Sequence, residues 1–374
     1  MNNREKILKN VKRVVVKIGT KSLTNDIELD RKKIKKITDE ISHLIKTGYQ
    51  VSLVSSGAVS AGIGKLKLNR KPKSIPEKQA SASIGQINLM YLYNYYFSKN
   101  NIIIGQILLT ESDLKNRIKY LNITNTLNTL LEEYNALPII NENDVVGIDE
   151  LIFGDNDELS ALIANLVRAD LLILLTDTDG FYLNNNGEQV LLKEVKKINQ
   201  QITASAGGAG SKFSSGGMVS KIKAAKIATH SGIPVVIANS KKKDILLRIL
   251  NGESEGTLFY PSEKSLSQRK RWLAFSVAPK GDIIIDNGAR TAILNKGKSL
   301  LPGGIVKVKG KFAKGDPVNI LDESNKIIAR GLSNFNSVVL NKIKGKKTSE
   351  VKKIITNSFY EEVVNRDNLV ILPG

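Results

Sequence analysis

Apolar positions in the first two-thirds of the chain fall into two alternating rhythms. Short continuous runs have the length and composition of strands buried on both faces: Val14 to Ile18 (interrupted by Lys17), Val51 to Val54, Ile102 to Leu109, Leu137 to Ile140, Leu171 to Leu175 and Val235 to Ala238. Between them apolar residues recur at helical spacing. Asp30 to Thr47 places Ile34, Ile37, Ile41, Leu44 and Ile45 on one stripe and stops at Gly48. Pro76 suits the start of a helix running to Phe97. Asp113 to Tyr134, Asp157 to Arg168, Met218 to Ser231 and Asp244 to Leu250 are further predicted helices. This alternation predicts an α/β class protein, a three-layer α/β/α sandwich around a mainly parallel sheet.

The rhythm changes after the polar stretch Pro261 to Arg271 (PSEKSLSQRKR), which reads as a linker. Beyond it come short strands at Asp282 to Ile285, Ile305 to Val308 and Val318 to Ile320, with glycine-rich turns and little helix. That pattern predicts a small β-rich, barrel-like module. The 374 residues are thus expected to form two domains, residues 1–261 and 272–362.

Ligands on parallel sheets bind at the carboxyl ends of the strands. The residues there are Lys17-Ile18-Gly19-Thr20, Ser55-Ser56-Gly57-Ala58, Asn141-Glu142-Asn143-Asp144 and Thr176-Asp177. A lysine closing a buried strand is costly unless an anion meets it, and a following glycine lets backbone N–H groups approach a phosphate; a lysine snorkelling to solvent is the alternative. Ser214-Ser215-Gly216-Gly217-Met218 opens directly into a helix carrying Lys221 about one turn in, the geometry of an anion site. A plain surface loop would look the same. Asn141 to Asp144 and Gly154-Asp155-Asn156-Asp157 mix carboxylates with amides. Such groups hold an ammonium group or the waters of Mg²⁺, or fix a lysine, and they also serve as turns and helix caps.

Composition narrows the chemistry. The chain has no cysteine and two histidines, His43 and His230, which excludes disulfides, thiolate nucleophiles and cysteine-ligated metals and leaves little for a serine–histidine triad. No G-x-x-x-x-G-K-[ST] loop is present; Gly62-Ile63-Gly64-Lys65 has the wrong spacing. The reaction must therefore run on lysine, carboxylate, hydroxyl and backbone groups. The net charge is +20, with 21 basic against 10 acidic residues from Pro261 onward. That surplus permits RNA contact by the tail module, and it also follows from a chain rich in Lys, Asn and Ile. The apolar runs are too short for a bilayer, and Met1 to Arg13 lacks the apolar centre of a signal peptide, so a cytoplasmic location without membrane association is expected.

Taken in order, VVVKIGTKSLT, VSSGAVSAG, LPIINENDVV, FGDNDELSALIA, ILLTDTDGFY and SSGGMVSKIKAA resemble the blocks of the amino acid kinase family, most closely its glutamate 5-kinase branch. Lys78-Gln79, Ile84-Gly85-Gln86 and Tyr120-Leu121-Asn122 extend the resemblance. Arg269 to Trp272, Asp286 to Ala289 and Ser299 to Pro302 look like the PUA domain many such kinases carry.

The resemblance implies transfer of phosphate from ATP, with Mg²⁺, to the γ-carboxylate of L-glutamate, giving L-glutamyl 5-phosphate for proline synthesis. It implies Lys17 and Lys221 on the ATP phosphates and Asp155 orienting them. Ser56, Gly57, Asp144 and Asn156 would bind glutamate. Gly19, Thr176, Asp177, Ser215, Gly216, Gly217 and Met218 would surround the nucleotide, and no side chain is assigned as a metal ligand. Proline as feedback inhibitor, a homo-oligomer (dimer or tetramer) and a glutamyl phosphate reductase as partner are further implications. The alternatives are a kinase of the same fold acting on another acid, such as acetylglutamate or aspartate, and an RNA-binding protein. Two positions depart from the family pattern: Ser214-Ser215 replaces a glycine–threonine pair, and Ile152 stands where relatives commonly carry a basic residue.

Overall fold

The computed structural model describes residues 3–25, 28–147, 156–185, 188–207, 217–262, 273–274, 277–354 and 361–372. It divides into a larger unit within residues 1–265 and a smaller one in residues 266–374, the latter taking in residues 115–117.

The larger unit is built on an eight-stranded sheet. Its strands are β1 (Arg13–Ile18), β2 (Gln50–Val54), β3 (Ile104–Leu109), β4 (Leu137–Glu142), β5 (Leu171–Thr176), β6 (Glu194–Val195), β7 (Val235–Asn239) and β8 (Thr257–Phe259). Their order is β6–β8–β7–β5–β1–β2–β4–β3. β3, β4, β2, β1, β5 and β7 run parallel, while β8 reverses against β7 and carries β6 alongside it. Every residue of β4 and β5 is buried, as the unbroken apolar runs require. The chain builds outward from β1 in one direction and then resumes on its other flank at β5. β1 and β5 therefore border the switch point, where a crevice opens at the strand ends.

The helices include α1 (Arg31–Lys46), α2 (Ala58–Leu66), α3 (Ile75–Ser98), α4 (Arg117–Asn128), α5 (Asp157–Leu166), α6 (Met218–His230) and α7 (Ile245–Leu250). Asp30 caps α1 by accepting the N–H groups of Lys32 and Lys33, and Ser74 caps α3 ahead of Pro76. Strand alternation sends Val14, Val16 and Ile18 into one core with Ile34, Ile37 and Ile41 of α1 and Leu89 and Tyr93 of α3. Lys17 points to the opposite face, where α5 and α6 pack together. Both faces of the sheet are thus covered, as predicted.

The structure differs from the sequence pattern in three places. The helix expected over 113–134 is three pieces, Glu111–Lys115, α4 and a five-residue π turn at Thr129–Glu133. The hairpin Phe181–Asn185 with Glu188–Leu192 and the strands β6 and β8 lie outside the predicted strands, being short or of mixed polarity. The smaller unit also holds more helix than expected.

That unit is a five-stranded mixed sheet of order β10–β9–β11–β12–β13, from β9 (Gly281–Ile285), β10 (Ile305–Gly310), β11 (Pro317–Leu321), β12 (Ile327–Leu332) and β13 (Leu369–Ile371). Its helices α8 (Asn287–Lys296) and α9 (Ser337–Ile343) are set by their ends: Asp286 and Asn336 cap the starts, and Gly297 at φ 62° stops α8. The core gathers Ile283, Ile293, Ile305, Ile320, Leu340 and Val363. Arg330 is half-buried and donates to Asn319 and to the carbonyls of Ala274 and Val277. Among the described residues no helix is long and apolar enough to cross a membrane.

Candidate active site

Lys17 is the last residue but one of β1 and has no exposed surface, and its Nζ lies 2.8 Å from Oδ1 of Asp157 in an ion pair. Asp157 is the first residue of α5 and is itself fully buried. Its Oδ2 accepts from Lys221 Nζ at 3.1 Å and from Ser220 Oγ at 2.7 Å, both in the first turn of α6. One carboxylate therefore holds two ammonium groups delivered from different elements. The three side chains together carry one net positive charge next to a strand end, which favours an anion there. Gly19 keeps the approach open: a Cβ at that position would sit 3.6 Å from Lys17 Nζ. Gly217 caps α6, so the first N–H groups of that helix lie beside the same lysines.

A second group of polar residues lies at the ends of β2 and β4. Gly57 adopts φ 96°, a left-handed conformation that turns β2 sharply into α2. Asn156 has no exposed surface and donates its amide to Ser55 O at 2.6 Å and Asn141 Oδ1 at 2.7 Å. Asn141 donates in turn to Gln86 Oε1 at 2.9 Å, and Tyr93 OH meets Ser55 Oγ at 2.9 Å. These bonds fix which end of each amide is which. Asn156 spends its N–H groups inward, and its Oδ1 finds no hydrogen-bond partner among the described residues; neither does Ser56 Oγ. Buried acceptors left in that condition are the groups a bound ammonium or hydroxyl donor would satisfy. Asp144 is buried too, and burial pushes its carboxyl up to about 6.

The third group borders the tips of β5 and β7. Thr176 O accepts from Ser240 N at 2.8 Å, and Thr176 Oγ1 donates to Asp177 Oδ1 at 3.3 Å. Asp177 also pairs with Lys21 at 3.2 Å. Registers Ile18↔Leu175 and Ala238↔Leu175 bring the ends of β1, β5 and β7 level.

Sequence reasoning placed Lys17, Lys221, Ser56, Asn156, Thr176 and Asp177 at strand or helix ends, where the structure has them. The carboxylate that meets both lysines is that of Asp157, two residues beyond the Asp155 expected to orient them. Asp155, Ser215 and Gly216, like Ile152 and Ser214, lie outside the described residues. Ser220, Asn141 and Gln86 were not singled out as site residues. The signal for Asp157 was present, since the first position of a helix aims its side chain back toward the strand ends.

A family model described as the amino acid kinase family matches residues 12–239, and one for the PUA domain matches residues 281–355. A glutamate 5-kinase of Syntrophus aciditrophicus is 48% identical over 373 residues, covering 99% of this chain and 97% of that protein. A glutamate 5-kinase of Moorella thermoacetica is 46% identical over 369 residues, covering 98% and 97%. One from Thermoanaerobacter sp. strain X514 is 47% identical over 364 residues, covering 96% and 98%. With matches of this extent, the chain belongs to the amino acid kinase family, in its glutamate 5-kinase branch, with a PUA domain behind the kinase fold.

Proposed function

We propose that this chain transfers the terminal phosphoryl group of ATP to the γ-carboxylate of L-glutamate, forming L-glutamyl 5-phosphate, the first step of proline biosynthesis. The observation that carries this reading is the shared carboxylate of Asp157 between the ammonium groups of Lys17 and Lys221. Phosphoryl transfer to a carboxylate needs no general base, because a γ-carboxylate with a reference pKa of about 4.3 is already ionised at neutral pH. What it needs is charge neutralisation between an anionic nucleophile and an anionic donor, and fixed positions for both. Lys17 and Lys221 supply the first. Asp157 holds them in place and keeps their spacing.

Glutamate is bound in this reading by Ser56, Gly57, Asp144 and Asn156. The unpartnered Oδ1 of Asn156 and the carboxylate of Asp144 accept from its α-ammonium group. ATP lies along Gly19, Thr176, Asp177, Gly217 and Met218; Ser215 and Gly216, outside the described residues, are further nucleotide contacts in this reading. Magnesium enters as part of the nucleotide substrate. Among the described residues no three Asp, Glu or His side chains gather to hold a metal, and a magnesium ion carried on phosphate oxygens and water does not require them.

The test is trapping of the acyl phosphate with hydroxylamine, run with glutamate, acetylglutamate and aspartate as acceptors. Hydroxamate formed with glutamate alone, and only with ATP, supports the reading; formation with acetylglutamate instead assigns a different acid to the same fold. Adding proline tests feedback inhibition, which we propose on kinship alone, as we do a homo-oligomer, delivery of the labile product to a reductase, and a cytoplasmic location. The domain limits 1–261 and 272–362 are supported by the division of the chain near residue 265.

A further inference from the structure

A cavity of about 260 Å³ lies at the strand ends on the face opposite the catalytic lysines. Its floor is Ile18 and Ile37. Ile18 follows Lys17 on β1, so strand alternation sends the two side chains to opposite sides of the sheet. The cavity is therefore separated from the Lys17–Asp157–Lys221 group by the sheet itself.

Five lysines surround this space: Lys21 after β1, Lys32, Lys33 and Lys36 on α1, and Lys241 after β7. Two carboxylates, Glu40 and Asp177, also line it, which leaves a surplus of three positive charges. Three of the five lysines are already engaged. Lys21 pairs with Asp177. Lys33 Nζ donates to Thr24 O at 2.6 Å, and Lys36 Nζ donates to the carbonyls of Ser240 and Lys242 at 2.8 and 2.6 Å. These bonds seat two ammonium groups in the wall; Lys36 also pairs with Glu40 at 3.9 Å, while the carbonyl contacts of Lys33 leave its charge in place. Glu40 accepts from Leu246 N, and burial raises its pKa. The ammonium groups of Lys32 and Lys241 make no ion pair or hydrogen bond with any described residue. Ser22 and Ser240, joined by a 2.7 Å hydroxyl contact, add donors at the rim.

We propose that this cavity is a second anion site, taking a small phosphate-bearing anion between Lys32 and Lys241, with the fixed ammonium groups of Lys33 and Lys36 behind it. A pocket that brings several cations together, two of them preorganised, binds a multiply charged oxyanion in preference to a single carboxylate. The site adjoins the nucleotide edge through the Lys21–Asp177 ion pair, since Asp177 also accepts from Thr176 Oγ1.

The experiment is a calorimetric titration of the full chain with inorganic phosphate and with pyrophosphate, at constant ionic strength and with an unhydrolysable ATP analogue present. Three proteins are compared: the unaltered chain, the double variant Lys32→Gln/Lys241→Gln, and Lys221→Ala. The expected result is saturable binding that weakens at least about tenfold in the double variant, the loss of two charge-assisted contacts, and is unchanged in Lys221→Ala. Binding that survives in the double variant but falls in Lys221→Ala would place the anion at the catalytic lysines and overturn the proposal. So would the absence of saturable binding at millimolar phosphate. Both surface lysines stand clear of the core, so a folded double variant is expected, and its melting curve checks that. Should the kinase reading fail, the dependence on Lys32 and Lys241 still decides this proposal.

Discussion

Asp157 is the residue on which the proposed chemistry turns, because it neutralises one buried lysine while holding two. Asp157→Asn would keep the shape and remove the charge, leaving two buried ammonium groups facing each other. Breaking a buried pair in this way costs about 3–5 kcal/mol, so a clear fall in melting temperature is expected. Turnover should fall by about a hundredfold or more, as when one charge-stabilising group is removed. Asp155→Asn, made in parallel, separates the two acids of the same motif: a loss of turnover without loss of stability at Asp155, and of both at Asp157, is the pattern expected. Lys17→Ala and Lys221→Ala should each reduce kcat by about a hundredfold; near-normal turnover in either would remove that lysine from the mechanism. Sequence reasoning reached Lys17 because a cation at the end of a buried strand stands out against apolar neighbours, and Lys221 because a glycine-rich turn opens directly into its helix. Asp157 was not singled out because two carboxylates separated by one residue look alike until the helix start is known.

Asp144 gives a second prediction at this scale. Its pKa of about 6 in the free protein comes from burial, which disfavours the charged form. If the carboxylate must be ionised to receive the α-ammonium of glutamate, kcat/KM for glutamate climbs with pH up to about 6 and levels off above it. Protonated Asp144 predominates on the acid side, so the loss is on falling pH. A profile flat between pH 5 and 7 would remove Asp144 from substrate binding, since kcat/KM reports groups of the free enzyme.

Among the elements, the crossing of α2 and α3 decides how the glutamate side is assembled. A Cβ on Gly62 would lie 1.8 Å from Ser81 O, and one on Gly85 would lie 1.9 Å from Ala58 O. The backbones touch there, and no side chain fits without pushing the helices apart. α2 starts immediately after Ser56 and Gly57, while α3 carries Gln86 to Asn141 and Tyr93 to Ser55. Gly85→Ala is therefore expected to destabilise by about 1–3 kcal/mol and to raise KM for glutamate more than KM for ATP. Calorimetry and paired saturation curves check the two halves; equal changes in both KM values would show a general loss of fold rather than a displaced site. The elements themselves were largely legible: β1, β2, β4, β5 and β7 are continuous apolar runs, and α1 has a cap, a stripe and a glycine stop. β6 and β8 were not, because a two- or three-residue strand carries no period; nor was the hairpin formed by Phe181–Asn185 and Glu188–Leu192, whose strands mix apolar with polar residues. In the smaller unit, α8 and α9 are set by caps at Asp286 and Asn336 rather than by an apolar stripe.

At the scale of the whole molecule, the two cores have no residue in common. The larger one closes around β1, α1 and α3, with every member between Leu8 and Leu258. The smaller runs from Ile283 to Leu369 around its own sheet, which shares no strand with the first. The division into two domains could be read from the change of rhythm at Pro261, since a parallel sheet and a short-stranded module need different patterns. Each domain with its own core can fold alone, and every residue assigned to the chemistry lies before residue 240. A fragment ending at residue 262 is thus expected to melt cooperatively and to form glutamyl hydroxamate at a rate within about threefold of the full chain, as for a domain that carries its own site. A fragment that folds but has lost activity would mean that the small domain sustains the site, and the chemistry assigned to the larger unit would have to be shared with it.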